Sequence, residues 1–185
     1  KECYVYVPSS GRPRYEIGQK VGSDYTRTVV NTTGLNPFTV FAFRRSPQLR
    51  YDALHNEFVQ VVSGGLLRIN ATTLVATISP ITSNGSIHLD ATRVDGPQMI
   101  TQIGGVSYLV GTCFAANAPS TYHVYVLNLN TRFAKAVNTS GVRFTPYAVD
   151  SSNGELVSLY STVFTNHIID KVQRVNPVSE TLSYG

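Results

Sequence analysis

Four histidines, His55, His88, His123 and His167, are the first places to look for metal or acid–base chemistry. None has a second His or a Cys at the short spacing from which zinc sites draw their ligands. His55 falls in a predicted hairpin turn, while His123 and His167 stand at the starts of two predicted strands. A radial repeat would bring those last two to equivalent rim positions. Asp150-Ser151-Ser152-Asn153-Gly154-Glu155 is oxygen-rich, but it lacks the carboxylate spacing of a calcium loop and reads as a tight turn. Asp90 and Asp95 flank Arg93, which a solvated salt link explains. No nucleophile elbow, phosphate-binding loop or dinucleotide fingerprint occurs. The eleven Asp and Glu residues show no spacing that selects an acid–base pair. No catalytic, cofactor-binding or metal-binding residue is therefore assigned, and the chain is expected not to be an enzyme.

A second kind of chemistry is modification. Asn31-Thr32-Thr33, Asn70-Ala71-Thr72, Asn84-Gly85-Ser86 and Asn138-Thr139-Ser140 are N-glycosylation sequons, each in a predicted turn from which a glycan projects into solvent. Together with the low charge and a first residue, Lys1, that is not Met, they lead to the expectation of a secreted, extracellular, glycosylated protein. In an oxidising compartment Cys3 and Cys113 would pair and tie the N-terminal strand to the middle of the chain. Cys113 also sits in the apolar run Tyr108–Phe114, where a free buried thiol is the alternative.

The elements that must carry these residues are strands. Only 14% of the chain is charged, well below the usual quarter, and polarity comes from Ser, Thr, Asn and Gln. No long window places apolar residues at helical spacing, and abundant Val and Tyr favour sheets. No apolar run approaches the roughly 20 residues of a membrane span. The net charge of +4 comes from Lys and Arg scattered singly apart from Arg44-Arg45, so a nucleic-acid partner is not expected. Tyr4, Tyr6, Tyr122, Tyr125 and Tyr147 lie near strand starts, where tyrosine serves either a ligand rim or half-buried packing.

Three segments share one pattern. Gly65–Thr77, Tyr125–Val137 and Lys171–Leu182 each run as an apolar strand into an Asn-centred turn, at Asn70, Asn130 and Asn176, and then into a shorter strand. Around them lie hairpin signals at His55-Asn56, Gly104-Gly105 and Asn153-Gly154. Second strands near Phe58, Tyr108 and Val157 set a period close to 50 residues. The approximate units are 1–44, 45–94, 95–144 and 145–185, in a single β-repeat domain. The first unit is the least regular, with strands over Cys3–Val7, Arg14–Gly18, Tyr25–Val30 and Phe38–Phe43.

Four antiparallel strands in 40 to 50 residues, repeated, make a propeller blade. On Arg68-Ile69-Asn70-Ala71-Thr72 and Arg174-Val175-Asn176-Pro177 the chain resembles β-propeller repeat proteins over the segment from Arg50 onward. Hemopexin-like domains are similar in length and in having two cysteines, although there the cysteines bracket the ring ends. The fold class expected is all-β, four-stranded antiparallel repeats arranged as a β-propeller, with a β-sandwich or barrel as the alternative. The resemblance implies a non-catalytic binding module for a protein or glycan partner. The alternative is a structural subunit of an extracellular self-assembling polymer, a homo-oligomer.

Overall fold

Runs such as Glu57-Phe58-Val59-Gln60-Val61-Val62 put apolar, β-branched residues on both faces, which suits strands covered on both sides. The computed structural model describes residues 2–6, 14–35, 49–63, 65–85, 87–90, 92–115, 118, 121–138, 143–160 and 171–185, with side chains from residue 14 onward apart from Asn138 and Tyr160. Among the described residues the structure has strands and no helix.

The strands make four sheets in chain order. Sheet 1 contains β1 (Glu2–Tyr6), β2 (Arg14–Val21) and β3 (Asp24–Val29). Sheet 2 contains β4 (Arg50–Asp52), β5 (Glu57–Val62), β6 (Gly65–Asn70) and β7 (Ala76–Ser79). Sheet 3 contains β9 (Val94–Ile103), β10 (Val106–Phe114), β11 (Tyr122–Asn128) and β12 (Phe133–Asn138), with the two-residue β8 (Thr82–Ser83) as a fifth, parallel edge strand beside β12. Sheet 4 contains β13 (Ala148–Val149), β14 (Leu156–Tyr160), β15 (Lys171–Asn176) and β16 (Thr181–Tyr184). Within every sheet the consecutive strands pair antiparallel. The expected four-stranded antiparallel units are thus present from Arg50 onward. The strand expected over Phe38–Phe43 lies outside the described residues. Among the described residues neither a closed barrel nor a complete ring is seen.

The Asn-centred turn recurs with one change of position. Asn70, Asn128 and Asn176 end β6, β11 and β15, so the middle turn is built on Asn128 and not on Asn130. In each, the side-chain oxygen accepts the backbone N–H groups two and three residues on, at 2.8–3.0 Å. The residue four places after each Asn takes a left-handed conformation, with φ of 59° at Leu74, 62° at Arg132 and 55° at Glu180. Such φ values are uncommon outside glycine, and their recurrence at one offset shows a single turn geometry used three times. Asn130 accepts instead from the Ser107 backbone N–H.

Two parallel contacts link neighbouring sheets at equivalent places. Asn31, just after β3, bridges Val75, just before β7, and β8, just after β7, pairs with the start of β12. By this rule β3 is the counterpart of β7, and sheet 1 shows no counterpart of β4, β9 or β13 among the described residues. Sheets then pack face to face in order. Tyr15, Ile17 and Val30 meet Phe58, Leu67 and Ile69 between sheets 1 and 2. Val59, Val61 and Leu66 meet Leu109, Cys113, Tyr125 and Leu127 between sheets 2 and 3. Val110, Val124 and Val126 meet Leu156 and Val175 between sheets 3 and 4.

Candidate functional site

Sheets 2 and 4 open with hairpins that match residue for residue. Tyr51-Asp52-Ala53-Leu54-His55-Asn56-Glu57-Phe58-Val59 corresponds to Val149-Asp150-Ser151-Ser152-Asn153-Gly154-Glu155-Leu156-Val157. The sixth residue of each hairpin, Asn56 and Gly154, has positive φ, at 50° and 75°. Each Asp organises its turn: Asp52 accepts the Leu54 N–H at 3.1 Å, and Asp150 accepts the Ser152 N–H at 3.0 Å and hydroxyl at 2.6 Å. Each hairpin's Glu meets an Arg two residues before the turn Asn, Glu57 with Arg68 and Glu155 with Arg174.

Asp52 does more than cap a turn. It is fully buried, and its carboxylate accepts Ser107 Oγ at 2.6 Å and Gln102 Nε2 at 3.1 Å, both from sheet 3, while His55 Nδ1 lies 2.6 Å away. Burial alone would raise this carboxyl, but the hydrogen bonds from Ser107, His55 and Gln102 and the charge on His55 outweigh it and hold the group below its ordinary value. Arg68 extends the link, donating also to the Leu129 carbonyl of sheet 3.

The first hairpins of sheets 2, 3 and 4 converge on one cleft of about 590 Å³. Its walls offer Tyr51, Ile100 and Ile103 as apolar surface and Gln102, Asp150 and Asn153 as polar groups. Thr101 Oγ1 donates to the Gly154 carbonyl at 2.8 Å, which fixes the sheet 3 wall against the sheet 4 turn. A volume in this range suits a small ligand, and the mix of one exposed ring with amide, hydroxyl and carboxylate groups suits a polar one. A smaller hollow of about 330 Å³ lies between His55, Arg68, Ser79, Asn130 and Arg132.

Asp52, His55 and Glu57 gather their ligand-capable atoms within 4.8 Å of one another, a grouping the sequence did not single out. Their lone pairs are already engaged: Asp52 holds four donors and Glu57 holds Arg68. The arrangement works as a joint between sheets, and a cation would have to displace it.

The remaining sequence-derived candidates are scattered. Asn31, on the segment leaving sheet 1, Asn70, at the end of β6, and Asn84, just after β8, are exposed, and Asn138 ends β12 with its side chain outside the described set. Asn31 and Asn70 spend their side-chain oxygens on the turn N–H groups of Thr33, Thr72 and Thr73. His123 is buried in β11, His88 is exposed beside Asp90, and His167 lies outside the described residues. Asp95 pairs with Arg143 at 2.6 Å, not with Arg93, whose guanidinium donates to the Ala115 carbonyl. Tyr125 is wholly buried packing, and its phenol is pushed well up by that burial. Tyr122 has Arg143 over its ring at 4.3 Å, and Tyr147 is 71% exposed. The side chains of Tyr4 and Tyr6 are outside the described set. The residues lining the cleft were legible only as strand and turn residues, because Tyr51, Gln102 and Asn153 come from three different units.

Cys113 is a free, buried thiol facing the layer between sheets 2 and 3, and Cys3 stands opposite Ile17 in the β1–β2 pairing with its side chain outside the described set. Burial pushes the Cys113 thiol up to about 12. Since the thiolate is the nucleophile, its population at pH 8 falls on the order of a thousandfold below that of a free cysteine. Differential alkylation with mass spectrometry is expected to leave Cys113 unlabelled in the native protein and to label it after unfolding. Rapid native labelling would contradict the buried placement. A comparison with known protein families finds no model that matches the chain, and a comparison with curated proteins finds no similar sequence.

Proposed function

We propose that the chain is a secreted, glycosylated, non-catalytic binding module of β-propeller type, which takes a glycan in the cleft where the first hairpins of sheets 2, 3 and 4 meet. The observation that carries the reading is that cleft: equivalent turns from successive repeats bring Tyr51, Gln102, Asp150 and Asn153 around one volume of about 590 Å³. Repeat folds commonly place function on loops gathered in this way. An exposed Tyr ring gives a sugar an apolar face to stack on, and amide and carboxylate groups satisfy its hydroxyls. The propeller reading draws on the order of the sheets: β4 lies against β9 and β12 against β16, so like strands of successive sheets face each other as blades do.

A glycan array followed by calorimetry tests this. A binder is expected, with Tyr51→Ala and Asn153→Ala each weakening it at least tenfold without loss of fold. An array with no hit, or binding unmoved by both substitutions, overturns the reading. Intact mass before and after deglycosylation of protein secreted from a eukaryotic host tests Asn31, Asn70, Asn84 and Asn138 in the same preparation.

A further inference from the structure

The chain contains two Asn-Gly pairs, Asn84-Gly85 and Asn153-Gly154. In such a pair the backbone can react with the preceding side chain, because glycine has no side chain to crowd its nitrogen. The structure treats the two pairs differently. The Gly154 N–H donates to the Asp150 carbonyl at 2.7 Å, and the Gly154 carbonyl accepts Thr101 Oγ1 of sheet 3 at 2.8 Å. The Asn153 side-chain oxygen accepts the Glu155 N–H at 2.9 Å. A methyl built on Gly154 would lie 2.4 Å from Ile103 Cγ1, so this turn is packed as well as bonded. Asn84 and Gly85, by contrast, are both exposed, just past β8. The Gly85 N–H has no hydrogen-bond partner among the described residues, and a methyl on Gly85 meets no atom within 4 Å. The flanks of this loop are anchored: β8 pairs with β12, Ser83 Oγ donates to the Ile87 carbonyl at 2.7 Å, and Ile87 bridges Ala115.

We propose that Asn84 is a site of spontaneous deamidation and that the fold protects Asn153 from the same reaction. The Gly85 nitrogen gives its proton to solvent and attacks Asn84 Cγ. A C–N bond forms, the bond from Cγ to the side-chain nitrogen breaks, and that nitrogen leaves as ammonia with a proton from solvent. Water then adds to either carbonyl of the cyclic imide and opens it, to Asp or to isoaspartate. One water enters, one ammonia leaves, and nothing is oxidised or reduced. At Gly154 the same ring closure must first break the N–H bond to Asp150, release the Asn153 oxygen and pull against Thr101. Opening those bonds lowers the reactive population at least about tenfold. Isoaspartate lengthens the main chain by one atom. The exposed loop at Asn84 absorbs that between its anchored ends, whereas at Asn153 it would deform a wall of the cleft. Asn84 also opens the sequon Asn84-Gly85-Ser86, and a glycan would be joined through the same amide nitrogen. Copies glycosylated there are spared, and copies that deamidate lose the acceptor. That competition rests on the glycosylation reading; the deamidation does not.

The test uses the intact chain made in a host without N-glycosylation, incubated at mildly alkaline pH both native and in guanidinium chloride. Peptide mapping by mass spectrometry quantifies Asn, Asp and isoaspartate at both positions over time. In the native protein, conversion at Asn84 is expected to outrun that at Asn153 at least about tenfold, with Asp and isoaspartate both formed. In denaturant the two rates are expected to come within a few-fold of each other, since both pairs are then unprotected. Gly85→Ala, whose methyl crowds the attacking nitrogen, is expected to slow conversion at Asn84 several-fold and leave Asn153 unchanged. An Asn84 amide that lasts as long as Asn153 in the native protein overturns the proposal. A lead of Asn84 that persists undiminished in denaturant overturns the assignment of protection to the fold. No glycan ligand enters the measurement, so its outcome is separate from binding in the cleft.

Discussion

Asp52→Ala is expected to destabilise the protein by about 3–4 kcal/mol, lowering Tm by roughly 10 °C for a chain of this size. The reason lies in what stays behind. Asp52 has no exposure, and it accepts from Ser107 Oγ, Gln102 Nε2, the Leu54 N–H and His55. Truncation removes the acceptor and leaves those donors in the joint between sheets 2 and 3, and unpaired buried donors cost more than a hydrogen bond gains. Asp52→Asn keeps one oxygen for Ser107 and Gln102, so about half the loss is expected. The pH dependence follows from the lowered carboxyl. A depressed folded-state value contributes stability above the unfolded value of about 3.9, and that contribution is lost as pH falls through the folded one. Urea unfolding of wild type should thus weaken below about pH 4, and Asp52→Asn should flatten that limb. An Asp52→Ala variant within about 0.5 kcal/mol of wild type would show that the joint carries no weight.

The strands and hairpins were legible because their signals are local. Gly104-Gly105, with φ of 58° and 78°, and the positive φ at Gly154 sit where paired glycines and Asn-Gly predict tight turns. Alternation and β-branching placed β5, β6, β10 and β16 within a residue or a few of their observed ends. The repeat was legible too, but its register slipped by two at Asn128. Leu129 separates Asn128 from Asn130, and a sequence offers no way to tell which side chain folds back on the turn. The cleft was not legible, because Tyr51, Gln102 and Asn153 meet only once three sheets are stacked. Nor was the Asp52 joint: its partners Gln102 and Ser107 are 50 and 55 residues away, and a lone Asp before a turn looks the same whether its carboxylate points to water or into a neighbouring sheet.

Gly65→Ala is the substitution expected to cost most per atom added, at least about 4 kcal/mol. Gly65 begins β6 with φ of 145°, a region that L-residues hardly enter and that alone costs about 1–3 kcal/mol. A methyl built there would lie 2.1 Å from the Ser79 carbonyl oxygen and 2.8 Å from its carbon. Both are backbone atoms of β7, so no side chain can turn aside, and β7 would have to move away from β6. That shift would propagate, because Leu66 next door belongs to the layer against sheet 3, while Leu67 and Ala76 belong to the layer against sheet 1. Sheet 2 is packed on both faces, so a shift of β7 reaches both layers. Gly104→Ala serves as the control: its φ is 58° and a methyl there meets open space, so about 1 kcal/mol is expected. A loss at Gly65 within about 3 kcal/mol would mean that backbone conformation alone sets the penalty. A loss beyond that would locate the excess in the contact with the Ser79 backbone of β7.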